Sequence, residues 1–139
     1  MIGVDTNVLA RYFVEERDAD AATQAQRAAA RRLIESGQPL FVPKSVVLEL
    51  EWVLRGYYRF AAGQVAEALA ALLCLPGVEL EDRSVVEQAL KGLQKGLDFA
   101  DALHHASCRP CRAFASFDTR SLAGPARALN LQPRVITPQ

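Results

Sequence analysis

Short apolar runs alternate with helix-length stretches along this chain, and the alternation begins at the second residue. Ile2, Gly3 and Val4 form the first run. LFVP at 40–43 is the second, stopped by Pro43, and VELED at 78–82, AFASF at 113–117 and RVI at 134–136 follow. Runs of that length, closed by Pro or polar residues, suit buried strands. The stretches between them read as helices. AATQAQRAAARRLIESG is capped by Asp18 or Asp20 and ends at Gly37. KSVVLELEWVLRGYY and AGQVAEALAALLCLPG follow, the latter stopped at Pro76 and Gly77. SVVEQALKGLQKG has Ser84 and Glu87 placed as a capping box, DFADALHHASC ends before Pro110, and TRSLAGPARALN is a broken helix. Strands joined through helices favour a parallel sheet, which is stable when both faces are covered. The expectation is an α/β fold with a short parallel sheet and helices on both sides. Ligands of such sheets gather at the carboxyl ends of the strands. Asp5 and Asp118 both stand there, which would put them on the same sheet edge.

The chain has 139 residues, enough for a real core, and residues 1–139 are expected to form a single domain. Sixteen basic residues balance sixteen acidic ones, so any basic surface for nucleic acid must be local. Half of the residues are apolar, yet no run approaches a membrane span and the start lacks a signal-peptide pattern. A cytoplasmic protein that does not enter a membrane is expected. Cys108 and Cys111 make one C-x-x-C, with Cys74 apart. Without a second pair of Cys or His they read as small buried or surface residues in a reducing compartment, rather than as a zinc or redox site.

The carboxylates carry the chemistry. Around a helix at about a hundred degrees per residue, Glu51 falls beside Arg55 as an exposed i, i+4 pair. Glu49 falls between Trp52 and Val53 with no helical cation, so it is expected to be half-buried and facing a cleft. Asp98 and Asp101 share the first turn of a helix, where capping and the helix dipole alone explain them. Asp118 and Asp5 also suit plain caps. Their joint placement is what needs explaining. Carboxylates converging in one cleft repel at neutral pH, and divalent cations relieve that. Hard oxygen ligands without Cys or His point to Mg²⁺ or Mn²⁺, ions suited to displacement at phosphorus and hence to nuclease chemistry.

Four segments, DTNVLARYF, SVVLELEWVLR, DFADALHHA and FASFDTR, resemble in order and spacing the signature segments of PIN-domain ribonucleases. More narrowly they resemble the VapC toxins of bacterial toxin–antitoxin pairs. The resemblance covers almost the whole chain. It implies a three-layer α/β/α domain, metal-dependent cleavage of RNA, a homodimer, and neutralisation by a small antitoxin. Carried over by position, Asp5, Glu49, Asp101 and Asp118 become the catalytic and metal-binding acids. Asp98 matches a frequent extra acid, Thr6 and Asn7 match polar positions that orient the first Asp, and Thr119 could serve Asp118 in the same way. An acidic cleft of this kind would trap an Arg inserted by the antitoxin, since a guanidinium bonds carboxylates in bidentate fashion. His104 and His105 lie outside the family's metal set and read as supporting residues, His105 within reach of Asp101 at i, i+4. Arg11, Arg55, Arg59, Arg112 and Arg120 flank the acidic segments and are the local basic groups that RNA could touch. A PIN-like module that binds RNA or protein without cutting is the alternative, and intact acids count against it. A haloacid-dehalogenase-type phosphatase would need a second Asp where Asn7 stands.

Overall fold

The computed structural model describes all of residues 1–139. It divides into two compact units, Met1–Arg83 and Ser84–Gln139. In the first unit, β1 (Ile2–Gly3), α1 (Thr6–Phe13), α2 (Ala21–Ile34), β2 (Leu40–Val42), α3 (Lys44–Gly56), α4 (Ala62–Leu73) and β3 (Val78–Leu80) follow in order. The three strands pair parallel in the order β1-β2-β3, with Ile2 opposite Leu40 and Leu40 opposite Val78. The second unit contains α5 (Arg83–Gln94, entered at the boundary), α6 (Phe99–Ser107), β4 (Ala113–Ala115), a wide π-type turn at Thr119–Ala123, α7 (Gly124–Ala128) and β5 (Arg134–Ile136). Its two strands are also parallel, with Phe114 opposite Val135. Every strand pair is parallel, and helices stand between the paired strands as the crossovers that parallel pairing needs. The strands form two ladders, one in each unit.

The periodicities explain the elements. On α3, Val47, Leu50 and Leu54 are fully buried and recur at helical spacing, with Pro43 as the N-cap residue, in extended conformation. Asp20 caps α2 by accepting from Thr23 N at 2.7 Å, and the chain leaves that helix through Gly37 at φ +80°. β2 is the central strand of its ladder, and Leu40 and Val42 are buried on it. The opening strand departs from expectation. Ile2 and Gly3 are exposed and only Val4, whose N–H bonds Phe41 O at 2.9 Å, is buried. β1 is an edge strand with one neighbour, so its residues lack cover on the open side. The capping box expected at Ser84 is also absent, because α5 already begins at Arg83 and Ser84 lies inside its first turn. Its hydroxyl accepts instead from Arg109 Nη2 at 2.7 Å. No helix is long and apolar enough to cross a membrane.

Candidate functional site

Asp5 lies two residues past β1 and caps α1, its Oδ1 accepting from Thr6 N at 2.8 Å. The other oxygen has no protein partner. Capping and exposure to a cleft are therefore compatible: one carboxylate oxygen holds the helix and the other is free. Asp5, Thr6, Asn7, Arg11 and Glu49 line a cleft of about 320 Å³, walled by Trp52, Tyr57 and Tyr58. Thr6 is 4% exposed, and its Oγ1 is buried without a hydrogen-bond partner. Buried hydroxyls in folded proteins are normally satisfied, which makes this oxygen the unpaired polar atom next to Asp5.

Glu49 reaches that cleft by a different route from the one expected. It is exposed, on the side of α3 opposite the buried stripe. Its apolar neighbour Trp52 is 61% exposed, so Glu49 is not half-buried at all. Glu51 is the buried one, at 2% exposure among Val47, Leu50 and Leu54, with Oε1 2.8 Å from Arg55 Nε. The expected pair forms, but its acid is in the core. Arg55 is thereby committed to Glu51. Arg11 is held by Tyr58 Oη at 2.9 Å and Gln26 Oε1 at 3.0 Å, with Glu16 at 3.7 Å.

In the second unit Asp98 caps α6, its Oδ2 accepting from Asp101 N at 3.1 Å. Burial holds the Asp101 carboxyl above its ordinary proton affinity, and the charges of Asp98 and Asp118 push it further the same way, against a smaller pull from His104. Asp118 follows β4 and opens the π-type turn. Ser121 holds both of its oxygens, the hydroxyl bonding Oδ2 at 2.5 Å and the backbone N–H bonding Oδ1 at 3.0 Å. Those bonds pull the Asp118 carboxyl below its ordinary range. Thr119, the residue expected to orient Asp118, makes no such bond, and Ser121 does this work. The Asp-x-x-Ser spacing at a helical start was the available signal. His105 does not pair with Asp101. It is 2% exposed, with Nε2 2.6 Å from Pro133 O and its ring edge-on to Phe114. A carbonyl 28 positions along the chain takes the nitrogen that local spacing assigned to Asp101. Cys108 is raised in proton affinity by burial first and by Cys111 second, which disfavours a thiolate.

The donor set fits a hard divalent cation. Every candidate ligand is a carboxylate or hydroxyl oxygen; in the first unit Thr6 Oγ1 is unpaired next to Asp5, and separately in the second unit Asp101 feels the charges of Asp98 and Asp118, which a cation would offset. Neither unit by itself gathers three Asp, Glu, His or Cys side chains into a cage. Mg²⁺ does not require one, since it keeps several waters and is bound through one or two carboxylates.

The model of the PIN domain family matches residues 2–124, and the chain belongs to that family. The α/β/α fold class expected from the sequence is the family's. PIN domains are generally nucleases, hydrolases acting on nucleic acid, and typically use divalent metals. No curated protein and no solved structure matches the chain significantly.

Proposed function

We propose that this chain is a Mg²⁺- or Mn²⁺-dependent endoribonuclease, acting as one 1–139 domain and as the toxin of a VapBC-type pair. The observation that carries the reading is the grouping of Asp98, Asp101 and Asp118, close enough that the charges of the first and last add to burial in raising the Asp101 carboxyl. The family match, which runs across the boundary between the units, supports treating Asp5, Glu49, Asp101 and Asp118 as one metal-binding and catalytic set. When bound, the cation supplies the charge that activates water and stabilises in-line displacement at phosphorus. The side chains do the positioning. Thr6 N–H aims Asp5, Ser121 aims Asp118, and Asp98 fixes the first turn from which Asp101 projects. Asn7 and Thr6 line the cleft beside Asp5. Exposed Trp52 and Tyr57 on its wall suit stacking against unpaired bases, which favours single-stranded RNA. A cytoplasmic homodimer, silenced by a small antitoxin that inserts an Arg among the acids, completes the proposal.

The test is cleavage of RNA in Mg²⁺ or Mn²⁺ and in EDTA. Activity should vanish in EDTA. Glu49→Gln and Asp101→Asn should each lose more than about a hundredfold, since even loss of a group that only orients a metal ligand costs 10–100-fold. RNA that is bound but left intact under every metal would favour the non-cleaving module. The toxin reading expects a short upstream reading frame encoding a DNA-binding antitoxin.

A further inference from the structure

The balanced charge of the chain conceals a division. Met1–Arg83 holds twelve acidic and nine basic residues, and Ser84–Gln139 holds four acidic and seven basic, giving net charges of −3 and +3. Three of the four acids in the second unit are Asp98, Asp101 and Asp118. Apart from that set, seven basic residues face one acid, Glu87. The basic groups are also used differently. In the first unit Arg11, Arg27, Arg31, Lys44 and Arg55 each lie within 4.0 Å of a carboxylate. In the second unit Lys91, Lys95, Arg127 and Arg134 are exposed and have no carboxylate partner. Arg109 bonds only neutral oxygens, Ser84 Oγ at 2.7 Å and Gln88 Oε1 at 3.4 Å, so its charge is uncompensated.

These cations follow two grooves that adjoin. Lys91, Lys95 and Arg109 line one of about 520 Å³. Arg127 and Arg134 line another of about 640 Å³. Asn130, Leu131 and Gln132 line both, so the two grooves adjoin at that segment. The second groove reaches Thr119, the residue after Asp118. Unpaired positive charge thus lines two adjoining grooves, one beginning beside a proposed metal carboxylate and the other reaching α5.

We infer that this track is the surface along which the phosphate backbone of single-stranded RNA lies, leading the strand to Asp118. The inference rests on the ribonuclease reading and assigns substrate-positioning residues to it. Unpaired Lys and Arg are the groups that neutralise phosphates and release counterions. The shared lining of Asn130, Leu131 and Gln132 adds neutral amides and an apolar contact, which grip a strand without requiring a base sequence. In the acidic unit five of the nine basic side chains are already ion-paired.

The experiment measures binding of a fluorescent single-stranded oligoribonucleotide to the full chain in EDTA, where turnover is suppressed, across a salt series. Lys91→Gln with Lys95→Gln, and separately Arg127→Gln with Arg134→Gln, should each weaken binding about tenfold or more. Each pair should also flatten the log–log salt slope by about 1.4, from roughly 0.7 per phosphate contact on a single strand. Arg31→Gln with Arg32→Gln on α2 should change neither. Unchanged affinity and slope in both track pairs, or equal losses in the α2 pair, would overturn the inference. So would unchanged RNA affinity together with lost binding to a polyglutamate peptide, which would give the track to an acidic protein. Cleavage by the wild type in Mg²⁺ separates the two readings: RNA cut normally by a protein whose track variants bind like wild type sinks the track and spares the nuclease.

Discussion

Glu51 and Arg55 form an unequal pair. The Glu51 side chain is 3% exposed and its partner 50%, so water can replace one half and not the other. Removing the guanidinium strands a carboxylate in the core, whereas neutralising the acid leaves a cation that solvent reaches. Arg55→Ala should therefore cost about 3 kcal/mol of stability, and Glu51→Gln about 1 kcal/mol, both by urea unfolding. The reverse order would mean that Glu51 is not buried as described. The pair also shows what helical spacing can and cannot tell. Spacing found the partner. It misjudged the burial, because Glu51 shares its arc with Val47, Leu50 and Leu54 and the neighbours that bury that arc come from other elements. Glu49 was misjudged for the mirror-image reason: Trp52 beside it is apolar yet exposed.

Within the second unit, Gly92 sets how closely α5 approaches α6. A Cβ there would stand 3.0 Å from Ala102 Cβ and 3.2 Å from Leu97 Cδ1. Ala102 Cβ is fixed to its backbone, so only movement of a whole helix could make room. In an isolated helix Gly→Ala gains up to about 1 kcal/mol. Here overpacking should outweigh that gain, and Gly92→Ala should destabilise the protein by about 1–2 kcal/mol net, seen as a lower melting temperature. A higher melting temperature would show that α6 can shift at little cost. The amphipathic pattern of α5 is plain in the sequence, but nothing local marks Gly92 as a contact point rather than a helix weakness.

For the molecule as a whole, pH and metal act on stability through the acids. Asp101 has a raised proton affinity when folded, so the folded state holds that proton more tightly than the unfolded chain does. Its contribution is fully present below the ordinary carboxylate range and is lost as pH rises through the folded value, leaving a net cost at neutral pH. Asp118 has the opposite sign: Ser121 lowers it, and its contribution is lost as pH falls through its folded value. In EDTA at neutral pH, Asp101→Asn should melt higher than wild type, with the gap closing below about pH 4. Saturating Mg²⁺ should raise the wild type, by about 2.7 kcal/mol at a hundredfold excess over its dissociation constant, and the variant less. A variant that melts lower at neutral pH in EDTA would mean that Asp101 is structural. At this scale the zero net charge was the least informative number in the sequence, since it averages a −3 unit with a +3 unit.

The sequence by itself determined the parallel α/β class, nearly every element, the short acidic stretches that hold the caps of α2 and α6, and the acids worth weighing; the structure chose Asp20 over Asp18 and Asp98 over Asp101 as the caps. Those properties depend on spacing along a few turns or one strand, and short-range periodicity records them. Only the tertiary structure decided that Glu51 rather than Glu49 is buried, that His105 bonds Pro133 O, and that cations of the second unit line two adjoining grooves. Each of these depends on which distant groups pack against a given helix face, and a pattern read along one helix carries no record of its neighbours.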